Sequence, residues 1–168
     1  VRFLANDMYL KASAAMMEGD FNTANIIFTH LVKLIPEDKF IKKKYAVSLI
    51  RTGELTKSKE FLQEIIGKGK SFDENVALVL AGVYSSLGEV KQSQSLYRKI
   101  ISKNPKSHDA CIFLSKSYGM EKKQTQAIKT LKSCFKKNPK EALYPYYIGK
   151  VYVNKGQLKT ARKYFKQV

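Results

Sequence analysis

Leu87-Gly88-Glu89-Val90 is one of a set. Glu18-Gly19-Asp20-Phe21, Thr52-Gly53-Glu54-Leu55 and Lys155-Gly156-Gln157-Leu158 have the same shape: a glycine, a polar residue, then an apolar or aromatic one. Gly19 to Gly53 is 34 residues, Gly53 to Gly88 is 35, and Gly88 to Gly156 is 68, or twice 34. The missing member is expected near residue 122, where Lys122-Lys123-Gln124 stands without glycine. The prolines keep the same period: Pro105 to Pro139 is 34 residues, and Pro36 to Pro105 is 69. A fixed period of this length marks a stack of similar units.

Physical chemistry explains the placement. Each unit holds two stretches with apolar residues at helical spacing. Glycine between them lets the chain turn sharply. Proline after the second stretch forbids continuation of the helix and disfavours helix at the residue before it. Neither helix can bury its apolar stripe alone; pairing buries part of it and stacking of pairs buries the rest.

A 34-residue helix-turn-helix unit with these marks resembles the tetratricopeptide repeat (TPR). The register gives repeats at 5–38, 39–72, 74–107, 108–141 and an incomplete one at 142–168. The first supplies Met8, Ala12, Ala15, Gly19, Ala24, Phe28, Leu31 and Pro36 to the family pattern. The third supplies Leu80, Ala81, Tyr84, Gly88, Ser93, Tyr97 and Pro105, and the fifth Ile148, Gly149, Tyr152, Gly156, Ala161 and Phe165. The resemblance implies an all-α, right-handed α-solenoid of antiparallel helical pairs over nearly the whole chain. Small residues at two positions (Ala12 with Ala24, Ala46 with Ser58, Ala81 with Ser93, Gly149 with Ala161) are expected to let paired helices approach closely. The second unit carries Gly67 and Gly69 where proline is expected, so its second helix should end early. The fourth lacks the turn glycine.

In that family the first helix of each unit lines a concave groove. By register the implied lining is Tyr9, Ser13 and Met16, then Lys43 and Val47, Leu78 and Gly82, Ile112 and Lys116, and Tyr146 and Lys150. Such a lining is apolar with a few lysines and suits a peptide or helix with apolar anchors and acidic residues. Family members that clamp a C-terminal carboxylate use paired Lys and Asn; Tyr9 and Ser13 stand there instead, so that specificity is not carried over. Gly82 is expected to leave a gap in the lining. Tyr146, Tyr147, Lys150 and Asn154 have a second reading, as packing for a helix beyond the incomplete last unit.

Catalytic chemistry finds little footing. The two histidines, His30 and His108, have no Cys/His/Asp set nearby with metal spacing, so no metal, cofactor or catalytic residue is assigned and the chain is read as a non-enzyme. Gly69-Lys70-Ser71 imitates the end of a phosphate-binding loop, but Glu64 stands where that motif needs glycine. Cys111 and Cys134 are expected to lie near each other in the fourth unit; reduced core residues are the favoured reading and a disulfide the alternative.

The chain carries 31 basic and 14 acidic residues, net +17. Only Arg2, Arg51, Arg98 and Arg162 are arginines. The lysines read as scattered along a solvated surface, and no stacking platform is evident, so a protein or peptide partner is expected rather than nucleic acid; a polyanion-binding lysine surface, or a recruiting arm of a larger protein, is the alternative. No apolar run approaches the roughly 18 residues of a membrane span. Val1 in place of Met and an end without a cap read as a processed chain or a piece of a longer one, with self-association through the C-terminal edge as a further expectation. The compartment is not legible; cytoplasm is slightly favoured if the cysteines are reduced, with a bacterial envelope as the alternative.

Overall fold

A computed structural model describes residues 2–168. Helices follow one another in pairs: α1 (Arg2–Met17) and α2 (Phe21–Leu34), α3 (Lys39–Arg51) and α4 (Leu55–Ile65), α5 (Glu74–Ser86) and α6 (Val90–Lys103), α7 (His108–Met120) and α8 (Gln124–Lys137), α9 (Leu143–Asn154) and α10 (Leu158–Phe165). Among the described residues there is no strand. The fold class is all-α, of the α-solenoid kind. Two compact units result, one ending at Glu89 and the other spanning Val90–Val168.

One turn geometry joins the helices of every pair. The N–H of Gly19 donates to Met16 (3.2 Å) and that of Asp20 to Ala15 (2.8 Å), which satisfies two carbonyls at the end of α1. The same two bonds recur at Gly53/Glu54, Gly88/Glu89 and Gly156/Gln157. The motif demands a left-handed residue, and these glycines have φ between 73° and 82°. The fourth pair makes the same turn without glycine. Lys122 takes φ 59° there, with Lys122 N–H donating to Gly119 and Lys123 N–H to Tyr118. Residue 122 is therefore the missing member of the series, held in a conformation that costs an L side chain about 1–2 kcal/mol.

Other elements follow from the sequence just as directly. Asp20, Asp38 and Asp73 cap α2, α3 and α5 by accepting the N–H of Thr23, Ile41 and Val76 at 3.0, 2.9 and 3.0 Å. Helix α4 has 11 residues where α2, α6 and α8 have 14. It stops before Gly67, and a single 3-10 turn (Gly69–Ser71) fills the place of the missing turns.

In the first unit, Ala12, Ala24, Ala46 and Ser58 are fully buried, and the Ser58 hydroxyl donates to the Ala46 carbonyl at 2.8 Å. Phe28, Leu31, Leu49 and Leu62 are sealed from solvent, each worth about 1.5–3 kcal/mol relative to exposure. Tyr45 stacks on Phe28 at 5.8 Å. Its hydroxyl accepts from Lys57 and lies 2.7 Å from that of Thr29. That bond holds the Lys57 ammonium above the usual lysine range.

In the second unit, Leu131, Tyr144 and Ile148 form the core together with Cys111 and Cys134. The cysteines are joined as a disulfide, with Cα atoms 6.5 Å apart. This corrects the favoured reading of reduced thiols. Cys111 sits in the first turn of α7 and Cys134 in the last turn of α8, and antiparallel pairing brings those ends together. The ground for preferring cytoplasm falls with it, because such bonds persist in oxidising compartments.

Successive pairs are also stitched by polar contacts at one recurring place, from a second helix to the following turn. Asn25 donates to Thr52 (2.9 Å) and Glu54 (3.3 Å), Lys59 pairs with Glu89 (2.7 Å), and Gln94 donates to Ser117 (3.0 Å) and Glu121 (2.6 Å).

Candidate interaction surface on the first helices

Helical pairing hides one side of each first helix and leaves the other open. Fourteen large hydrophobic side chains are exposed among the described residues, and ten of them lie on α1, α3, α7 and α9. The exposed apolar side chains thus fall mainly on the first helices of the pairs.

In the first unit Tyr9 of α1 meets Phe40 of α3 at 5.6 Å between ring centroids. Phe40 is 54% exposed, and the Lys44 ammonium lies 5.5 Å from its ring. Ser13, Met16, Lys43, Val47, Leu78 and Gly82 are half-buried. Apart from its chain neighbours and the backbone of its own helix, nothing lies within 4 Å of where a Cβ on Gly82 would stand.

In the second unit the surface is an aromatic and lysine cluster on α7 and α9. Lys116 lies 5.6 Å from the Phe113 ring and 5.3 Å from that of Tyr147; Lys150 lies 5.5 Å from Tyr146 and 5.8 Å from Tyr147. Tyr146 and Tyr147 meet edge to face at 5.3 Å, and Phe165 of α10 closes one side at 6.2 Å from Tyr146. Ring faces attract the ammonium groups, so both charges stay close to an apolar surface. A carboxylate beside an apolar anchor fits that arrangement.

One residue of the expected lining is buried. Ile112 is only 7% exposed and belongs to the core. Its neighbour Phe113, 44% exposed, takes the surface place. The repeat register chose Ile112, and the choice is off by one residue on α7.

His108 has a structural setting. Its Nδ1 is 2.6 Å from the Tyr144 hydroxyl and its Nε2 is 3.6 Å from the Glu141 carboxylate. Burial, and secondarily the Glu141 charge, push the Tyr144 phenol up to about 12. Among the described residues no group of three or more His, Cys, Asp or Glu side chains could hold a metal, and no helix is long and apolar enough to cross a membrane.

Comparison with known proteins agrees with the geometry. The tetratricopeptide-repeat family profile matches residues 146–168, which hold most of α9 and all of α10. No curated protein matches the sequence. Among solved structures, one described as "Crystal structure of MamA protein" is similar with a TM-score of 0.81 at 18% identity, over 99% of this chain and 91% of that one. "MamA 41-end from Desulfovibrio magneticus RS-1" gives 0.79 at 15% identity, over 97% and 92%. A further MamA structure gives 0.75 at 20% identity, over 93% and 91%. Identities this low speak for the fold alone. Ten helices among the described residues, one turn geometry in every pair, the family profile on the last pair and the solved neighbours together give the chain the fold of a tetratricopeptide-repeat array.

Proposed function

We propose that the chain holds a peptide or helix of a partner protein against its first helices, with apolar anchors of the ligand on the aromatic surface and acidic residues beside Lys116 and Lys150. TPR folds are in general protein–protein interaction scaffolds, and typically not enzymes. The observation that carries the more specific reading is the cluster of Phe113, Tyr146 and Tyr147 with two ammonium groups over the rings. Tyr9 and Phe40, with Lys44, offer a smaller version of the same chemistry in the first unit.

The test is selection from a displayed peptide library, followed by calorimetric titration of the enriched sequences. Wild type is compared with Phe113→Ala/Tyr146→Ala, both exposed enough to leave the core intact. Enriched peptides should carry apolar residues flanked by Asp or Glu, and the double variant should weaken them about tenfold or more, as loss of aromatic anchors does. Peptides bound equally well by both proteins would refute this placement.

A further inference from the structure

The net charge of +17 is not spread along the chain. Up to Glu89 there are twelve basic and eleven acidic residues, a net +1; from Val90 onward there are nineteen basic and three acidic, a net +16. All nineteen are exposed. The basic residues run through both units on the surface, as expected, but the acidic residues that balance them lie almost all in the first, so the two units are electrostatically different objects. Within the second unit the cations also favour one class of helix. Eleven lie on α6, α8 and α10 and two on α7 and α9. The face with most of the charge is thus not the aromatic face described above.

A cleft of about 510 Å3 opens on that face between α6 and α8. Arg98, Lys129 and Lys137 line it together with the hydroxyls of Ser102, Thr130 and Ser133, and no carboxylate does. Tyr118 stands in it with its hydroxyl accepting from Arg98 at 3.0 Å, and Ile101 and Leu114 add apolar lining. Cations and hydroxyls are the groups that hold phosphate oxygens, and an aromatic or apolar surface accepts a base face. A unit that crowds +16 into 79 residues works against its own compaction, and that repulsion is relieved by a ligand bearing one negative charge per repeating unit.

We propose that the second unit binds single-stranded nucleic acid, with the sugar-phosphate backbone in the cleft between α6 and α8. The cleft is a furrow between two helices, and a furrow of that kind suits the backbone of one strand. Lysine outnumbers arginine seventeen to two in this unit. Point charges without the planar fork give affinity without base selection, so the binding is indifferent to sequence. This surface shares no residue with the peptide-binding reading, although α7 contributes to both.

The experiment is fluorescence anisotropy of a labelled oligothymidylate against the full chain over a range of salt. The cleft variant is Arg98→Gln/Lys129→Gln/Lys137→Gln, with Lys129→Gln/Lys137→Gln as a milder form that keeps the bond to Tyr118. The control removes three charges at helix turns: Lys122→Gln/Lys123→Gln/Lys155→Gln. On a single strand each neutralised phosphate contributes about 0.7 to the salt slope. The triple cleft variant should therefore lose about 2 from the slope of log K against log salt, the double about 1.4, and the control much less. The same strand annealed into a duplex should bind more weakly. Equal losses in cleft and control variants would overturn the assignment of the cleft. Stronger binding of the duplex would overturn the single-strand reading. Displacement by polyglutamate, charge for charge, would put an acidic protein segment in place of nucleic acid. Binding to phosphatidylglycerol vesicles with no binding to the strand would make the surface a membrane contact.

Discussion

Replacing Lys122 with glycine should stabilise the protein. Lys122 is the non-glycine member of a series of turns that otherwise use glycine, and its φ of 59° lies in the region where a Cβ meets the following carbonyl. Relief of that clash is worth about 1–2 kcal/mol. Glycine also loosens the unfolded chain, which takes back about 0.5–1 kcal/mol. The net expectation is a gain of about 0.5–1 kcal/mol, or roughly 1–4 °C in melting temperature for a chain of this size. Lys122 is exposed and next to Lys123, so relief of like-charge repulsion could imitate the effect. Lys122→Ala separates the two, since it removes the charge but keeps the Cβ. Urea denaturation of the three proteins, followed by circular dichroism, reads the outcome. Lys122→Gly should raise the midpoint and Lys122→Ala should not. Equal gains would show that charge, not backbone strain, sets the cost; no gain from glycine would mean that the turn at 122 is not left-handed in solution.

Three other outcomes follow from particular contacts. Gly149→Ala places a Cβ 2.5 Å from the Phe165 ring, and overpacking of this kind costs about 1–3 kcal/mol; a thermal melt measures it, and adding Phe165→Leu should recover part of the loss. Reducing the Cys111–Cys134 bond, 23 residues apart in sequence, should cost about 3 kcal/mol by chain entropy, read from denaturation with and without reductant after intact mass under alkylation has shown no free thiols in the untreated protein. Tyr144, with its phenol pushed up to about 12 by burial, should ionise last among the tyrosines in an ultraviolet titration. Its folded pKa lies above the unfolded value near 10, so its stabilising contribution is whole below pH 10 and is lost as pH rises toward 12. An alkaline melt compared with Tyr144→Phe, which lacks that contribution, checks the sign.

The helical pairs were legible because their signals are local and repeated. A glycine after an apolar stretch and a proline after the next have one physical reading, and a period of 34 confirms each with the others. Residue 122 was found by period alone, although its lysine argues against the conformation it adopts. What stayed hidden depended on side-chain direction. The register put Ile112 on the lining, whereas the structure buries it and turns its neighbour Phe113 outward. The polar stitches from Asn25, Lys59 and Gln94 join residues 23 to 30 apart, and different chemistry at equivalent positions conceals their common role. The charge division was present in the sequence but became visible only with a boundary at Glu89, inside the third repeat, where the 34-residue register gives no reason to look.

The fourth pair combines two departures from the repeat pattern: a lysine in the left-handed turn and a disulfide at the opposite end. The two act on different states. Turn strain raises the energy of the folded hairpin, while the bond lowers the entropy of the unfolded one. Nine residues of α7 follow Cys111 before the turn that holds Lys122, about 13 Å of rise, so the sites do not touch. Lys122→Gly and reduction should therefore add within about 0.5 kcal/mol. A double-mutant cycle between Lys122→Gly and Cys111→Ala/Cys134→Ala, by urea denaturation, tests this. A larger glycine gain in the cysteine-free protein would mean that the fourth pair opens by itself before the rest of the second unit. In that event the bond holds this hairpin closed in the native protein, and the neighbouring α6–α8 cleft depends on it. Additivity would instead mean that the pair unfolds only with its neighbours, through the contacts α8 makes with α9 and α7 with α6.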